Sequence, residues 1–154
     1  MNQQLTNWLN EYSQSHQNPT NKRIHHVAVP IIFWSVMALL DLITIGISLG
    51  SFTLSVLWPV MLLVLCWYCF YSLIIGMCMG LLCAVGLLLI YLAQMYQINM
   101  MVYALVAFII AWIAQFYGHK IEGKKPAFIR DLLFLLIGPI WVILPLLKKL
   151  NVKY

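Results

Sequence analysis

The chain has 154 residues, of which 64% are hydrophobic and 8% charged, and its formal net charge is +5. Soluble domains carry about 25% charged residues, so this composition excludes most soluble folds. The positive charge sits on short polar ends rather than on one basic face, which excludes a nucleic-acid-binding domain, and no nucleic-acid partner is expected.

Residues 42–119 form a stretch that contains no Asp, Glu, Lys or Arg. A stretch of this length without charge is typical of lipid-embedded helices, because an ionised side chain is poorly solvated in hydrocarbon. The sequence therefore predicts a single all-α integral membrane domain. Residues 1–21 are polar and lack an apolar core, so a cleavable signal peptide is not expected.

An amphipathic helix is predicted at the N-terminus. Leu5, Trp8, Leu9 and Tyr12 recur at i, i+3, i+4 and i+7, which gives one narrow apolar stripe, and His16 continues it one turn later. Aromatic rings with a polar atom are stable at headgroup depth, so we expect this helix to lie on the membrane surface.

Asn18 and Pro19 mark the start of a second helix. Asn is a favoured N-cap residue, and Pro at the first helical position loses no hydrogen bond. This helix carries Asn21 and His25 on one face, at i and i+4, before the first apolar stretch.

Four membrane-spanning helices are predicted, at about 29–49, 54–75, 77–95 and 100–117. Polar turns are expected at Gly50-Ser51 and at 97–99, and the second and third helices should fold back near Gly76. Asp41 falls inside the first span, where a carboxylate needs protein partners. We expect it to accept structural hydrogen bonds, the alternative being a functional group.

The remaining segments complete a five-part organisation: interfacial helices at 1–28, four spans at 29–117, a polar loop at 118–128, a re-entrant or fifth apolar segment at 129–147 and a basic tail at 148–154. Gly138, Pro139 and Pro145 favour the re-entrant alternative. The positive-inside rule places the N-terminus and the histidines on the cytoplasmic side. A bacterial inner membrane is the favoured location, the alternative being the endoplasmic reticulum.

The four cysteines lie in the apolar region, at positions 66, 69, 78 and 83. Cys66 and Cys69 have redox-motif spacing, but they lack the βαβ context of thioredoxin-like proteins and a second pair for a zinc site. They are expected to be packing residues without disulfides.

Histidines lie at both polar ends of the apolar region. His16, His25 and His26 precede the first predicted span, and His119 follows the fourth. Four spans would bring them to one membrane face. Imidazoles suit Fe, Zn, Cu or Ni, so three from separate helices would form a metal site with open positions. The alternative is that they are hydrogen-bonded interfacial residues.

A polar stripe continues the fourth predicted helix beyond the interface. Gln115, His119 and Glu122 fall at i, i+4 and i+7, so their side chains share one face. With His16, Asn21 and His25 they would form a compact polar cluster at the mouth of the helix bundle.

Two segments around these residues resemble the signature blocks of the small membrane 2-hydroxy fatty acid dioxygenases, the family of a yeast endoplasmic-reticulum enzyme of phytosphingosine breakdown. The segments are YSQSHQNPTNKRIHHVAVP at 12–30 and QFYGHKIEGKKPAFIRDLLFLLIGP at 115–139. The resemblance implies an Fe(II)-dependent α-oxidation in sphingolipid metabolism. In this reaction O₂ cleaves the bond between the carboxyl carbon and the hydroxyl-bearing carbon and leaves a chain one carbon shorter.

On this sequence the family's histidines correspond to His16, His25 and His119, which the resemblance implies are the catalytic residues and the iron ligands. His26 and Glu122 are additional candidate ligands, the alternative for Glu122 being a solvated partner of Lys124 or Lys125.

Asn21 and Gln115 are expected behind the ligands, where they would orient the imidazole N–H groups. The implied partners are a long-chain 2-hydroxy fatty acid, O₂ as co-substrate and the bilayer itself. The alternative function is a non-catalytic membrane haem- or metal-binding protein with His25 and His119 as axial ligands. A transporter is less favoured, because Asp41 is nearly the only intramembrane ionisable residue.

Overall fold

The fold is given by a computed structural model, in which residues 3–49, 52–124 and 133–152 are described. These residues form helices joined by short turns and one β-hairpin. The elements are α1 (Gln3–Gln14), α2 (Pro19–Asp41), β1 (Thr44–Leu49), β2 (Phe52–Ser55), α3 (Leu57–Tyr71), α4 (Leu73–Met95), α5 (Met100–Glu122) and α6 (Phe134–Lys149). The all-α class is thereby confirmed.

Helices α2 to α5 run up and down, so that each reverses the direction of the one before. At one end of the bundle, Asp41 at the end of α2 accepts hydrogen bonds from Ser55 Oγ at 2.9 Å and from Gln94 Nε2 at 3.2 Å. At the other end, Trp8 of α1 stacks on Trp67 of α3 with ring centroids 6.2 Å apart. Asp41 is thus a hydrogen-bonding residue at the end of a helix.

Within the described part of the chain, three helices have the length and composition to cross a membrane: α2, α4 and α5, with 23 residues each. Helix α3 has 15 residues. At 1.5 Å per residue it is about 22 Å long, which is less than a hydrocarbon core of about 30 Å. Four complete spans are therefore not confirmed.

The predicted first span, 29–49, is wrong at its C-terminal end. Helix α2 stops at Asp41, and the chain forms an antiparallel hairpin in which Thr44 pairs with Ser55. Thr44 and the isoleucines after it are β-branched and favour strands. Gly46 adopts φ +73°, which a right-handed helix does not accommodate. The predicted Gly50-Ser51 turn lies outside the described residues.

The fold-back between the second and third predicted helices occurs at Ser72 instead of Gly76. Ser72 is extended, with φ −164°, and its side chain caps α4. Gly76 lies inside α4 and lets α3 approach, since a Cβ there would meet the Cα of Cys69 at 3.1 Å. The turn at 97–99 is confirmed: Gln97 has φ +53° and the side chain of Asn99 caps α5.

The apolar stripe of α1 packs against protein, and the location of this helix at the membrane surface stays a prediction. Leu5, Leu9 and Tyr12 are buried in one core cluster with residues of α3, α4 and α6. The start of α2 is as predicted, because Asn18 Oδ1 accepts from Thr20 N at 2.9 Å and Pro19 is the first helical residue.

The last apolar segment is one helix, α6, rather than a broken hairpin, and residues 125–132 before it lie outside the described residues. Trp141, at its middle, donates to Ser13 Oγ at 3.0 Å. Lys148, near its end, lines the same groove as Lys22. Helix α6 therefore lies along α1 at the end of the bundle that holds the histidines, and a fifth span is not confirmed.

Candidate metal centre

His16 sits in the turn between α1 and α2 and presents one free ring nitrogen. Its Nδ1 donates to the Tyr12 carbonyl at 2.7 Å, and its ring stacks on the Tyr12 ring with centroids 4.2 Å apart. Nε2 is buried without a hydrogen-bond partner among the described residues. Burial lowers the pKa of His16 to about 4, so the imidazole is neutral at physiological pH and Nε2 keeps its lone pair.

His25 repeats this arrangement on the second turn of α2. Its Nδ1 donates to the Asn21 carbonyl at 3.0 Å, and its buried Nε2 has no partner within the part of the chain that the structure describes. A backbone carbonyl that fixes the tautomer in this way is typical of metal-binding histidines.

His119 lies on the last full turn of α5 and approaches the other two rings. Its side chain is buried, and its Nδ1 finds no partner in residues 3–49, 52–124 and 133–152. The His119 ring centroid is 4.9 Å from that of His16 and 4.8 Å from that of His25. The ring centroids of His16 and His25 are 4.3 Å apart.

The three histidines form the metal-binding candidate group found among the described residues: one ring nitrogen from each lies within 4.8 Å of the others. A buried polar atom without a partner is unfavourable by about 1–3 kcal/mol, and three in one place indicate a ligand shared by all of them. Neutral imidazole suits a divalent first-row metal, which binds at about 2.1 Å. The residues fit a metal ion.

Glu122, at the end of α5, holds the turn that contains His16. Its carboxylate accepts from Gln17 N at 2.7 Å, Asn18 N at 2.8 Å and Asn21 Nδ2 at 3.1 Å. These three bonds occupy both carboxylate oxygens, and Glu122 is outside the three-histidine group. Its observed part is to hold the turn in place, which the sequence did not indicate.

Gly118 permits the close approach of α2 and α5 at this site. A Cβ at position 118 would overlap Asn21 Oδ1 and would meet His25 Cε1 at 3.5 Å. A glycine directly before a candidate ligand was the only signal of this contact in the sequence.

The two residues expected behind the ligands take different positions. Asn21 is fully buried, but it bonds His25 through its backbone carbonyl, while its side-chain amide donates to Ser15 O at 3.2 Å and to Glu122. Gln115 is buried one turn before His119 and lines an apolar cavity.

His26 has hydrogen-bond and ring partners outside the three-histidine group. Its Nδ1 donates to the Lys22 carbonyl at 2.7 Å, and its ring centroid lies 5.1 Å from that of Trp141. It is half-buried and outside the three-histidine group. The neighbouring positions 25 and 26 therefore have different environments.

Comparison with known proteins identifies the family of the chain. The sequence profile of the family described as "2-hydroxy-palmitic acid dioxygenase Mpo1-like" matches residues 2–150. The chain belongs to this family. It is 34% identical over 153 residues to the 2-hydroxy-palmitic acid dioxygenase MPO1 of Saccharomyces cerevisiae, an alignment that covers 96% of this chain and 82% of the yeast protein. No solved structure matches the chain.

Proposed function

We propose that this protein is an Fe(II)-dependent dioxygenase that converts a long-chain 2-hydroxy fatty acid into a fatty acid one carbon shorter. The observation that carries the proposal is the convergence of three buried imidazoles: one ring nitrogen of each lies within 4.8 Å of the others, and each ring has a nitrogen without a hydrogen-bond partner among the described residues. Membership of the family and the name of the yeast relative supply the substrate class.

The overall reaction balances with O₂ as the sole oxidant. The hydroxyl-bearing carbon becomes the carboxyl carbon of the shorter acid, and the original carboxyl carbon leaves as CO₂. The substrate gives up four electrons, which O₂ takes up with two protons to form water and to supply the added oxygen. No external reductant is required.

The chain's own residues hold the site ready. When bound, a ferrous ion supplies a common binding position and redox chemistry for the hydroxy acid and O₂. The carbonyls of Tyr12 and Asn21 fix two imidazole tautomers, so Nε2 of His16 and of His25 keeps its lone pair. His26 and Glu122, the other candidate ligands, are bonded elsewhere.

The location of the histidines suits a lipid substrate. They lie at one end of helices that carry many exposed apolar side chains, among them Leu62, Leu63, Leu81 and Ile110. Each methylene kept out of water is worth about 0.8 kcal/mol, so a long-chain acid stays in the bilayer and must be bound there. Its polar end would then meet the site at the interface.

A haem-binding alternative is disfavoured by the same geometry. Axial imidazoles bind on opposite faces of a macrocycle. His25 and His119 lie 4.8 Å apart between centroids, and the His16 ring lies 4.3 Å and 4.9 Å from them. The three rings leave no room for a porphyrin between them.

Adjacent histidines allow a matched test. His25→Ala should lose bound iron and the conversion of 2-hydroxypalmitic acid, measured by metal analysis and by mass spectrometry of the shorter acid. His26→Ala should retain both, because His26 lies outside the group. Iron and activity retained by His25→Ala, or lost equally by both variants, would contradict the proposal.

A further inference from the structure

We propose that a cavity between α2, α3, α5 and α6 binds the acyl chain of the substrate and sets the preferred chain length. The cavity has a volume of about 360 Å³, within the range of small-molecule sites. The identity of the ligand as a 2-hydroxy fatty acid rests on the proposed function, whereas the preference for an alkyl chain follows from the cavity itself.

One end of the cavity adjoins the three histidines. Tyr12, which stacks on His16 at 4.2 Å, lines it. Val29 lines it one turn after His25, and Gln115 lines it one turn before His119. Each histidine thus has a neighbour on the cavity wall.

The cavity runs from this end toward the middle of the bundle. Its lining on α2 recurs on one helix face from Val29 to Leu40. At 1.5 Å per residue this distance is about 16 Å. On α5 the lining residues extend from Gln115, one turn before His119, back to Phe108. A ligand along this path would lie parallel to the helices, with one end beside the histidines.

The lining specifies an alkyl chain with a polar head. The walls distant from the histidines are apolar, and they include Met37, Leu57 and Met61. The hydroxyl of Tyr12 and the amide of Gln115 lie at the histidine end of the wall, whereas the indole of Trp112 and the thiol of Cys83 lie farther along it. Methylenes would gain free energy along the walls, and the carboxylate and hydroxyl would remain at the polar end. Residues at the far end would contact the last carbons of the chain.

The test compares two adjacent positions on α3 in the purified full-length protein. Met61 lines the cavity, whereas Leu62 is 63% exposed on the outer face of the same turn. Radiolabelled 2-hydroxypalmitic acid is bound to each variant without O₂, and unlabelled 2-hydroxypalmitic and 2-hydroxyoctanoic acids compete for it. Met61→Trp should weaken the binding of 2-hydroxypalmitic acid by about tenfold relative to that of 2-hydroxyoctanoic acid, because two or more methylenes lose their contacts. Leu62→Trp should keep the wild-type ratio of the two affinities.

Two further arms keep the result decisive. If Met61→Trp does not fold, Met61→Ala should raise the affinity for 2-hydroxystearic acid relative to 2-hydroxypalmitic acid, and Leu62→Ala should not. The proposal would be overturned if the Met61 variant and its Leu62 control had the same ratio of affinities for the longer and shorter acids. It would also be overturned if a diacyl phospholipid displaced the labelled acid as effectively as the free fatty acid does. A chain-length effect in a protein without iron or turnover would leave the cavity assignment standing and would remove the proposed activity.

Discussion

At the scale of single residues, the chemistry of the site depends on which nitrogen of each histidine is free. The sequence identified His16, His25 and His119 as candidates, because few other polar residues flank the apolar region. It did not reveal that carbonyls four residues earlier fix His16 and His25, at 2.7 Å and 3.0 Å. Such bonds depend on local backbone conformation, which residue identity alone does not specify.

Glu122 shows the limit of residue-level prediction most clearly. The sequence suggested either a metal ligand or a surface partner for a lysine. Its carboxylate instead receives the backbone N–H groups of Gln17 and Asn18 from more than a hundred residues away in sequence. The fold has to be known before this contact can be inferred.

Glu122→Ala should weaken iron binding by about 10–100-fold, as typically found for residues that position metal ligands. The reason is that the turn containing His16 loses two hydrogen bonds to α5, and Asn21 of α2 loses a third. Iron titration of the purified protein measures the effect, and Glu122→Gln should recover part of it, because the amide oxygen still accepts. An unchanged affinity in Glu122→Ala would show that the turn is held by other contacts.

At the scale of elements, hydropathy predicted the helices well and their ends less well. It failed at 42–49, where apolar but β-branched residues form a strand. For α1 it predicted the helix but not what its stripe contacts, since an amphipathic stripe requires an apolar partner without specifying lipid or protein. The start of α2 and the turn at 97–99 were predictable, because they depend on local capping chemistry.

The contact between α2 and α5 at Gly118 gives a prediction at this scale. Gly118→Ala should destabilise the protein by about 1–3 kcal/mol and reduce iron binding, because the new methyl group overlaps Asn21 Oδ1. Gly80→Ala on α4 is the control: its Cβ would meet nothing within 4 Å. The two variants are compared by thermal unfolding in detergent, and equal melting temperatures would refute the close contact.

At the scale of the whole molecule, the up-and-down order of α2 to α5 brings distant chain segments to one end. The sequence anticipated this gathering from the number of reversals, even though α3 is too short for a complete span. Exposed basic residues lie at the same end, among them Arg23, Lys120, Lys124 and Lys149. We propose, from the positive-inside rule, that this end faces the cytoplasm.

This arrangement predicts the sidedness of single cysteines. In a variant whose four native cysteines are replaced by alanine, Asn10→Cys should react with a membrane-impermeant maleimide from the cytoplasmic side. Gln97→Cys, in the turn at the opposite end, should react from the other side. Both native residues are exposed. Labelling of both cysteines from the same side would contradict the arrangement.

The central claim is that His16, His25 and His119 bind one iron ion together. X-ray absorption spectroscopy of the iron-loaded protein tests it most directly. The account predicts imidazole nitrogens at about 2.1 Å from iron and a measurable loss of that imidazole signal in His119→Ala. Iron bound without imidazole scattering, or an imidazole signal that His119→Ala leaves intact, would contradict it.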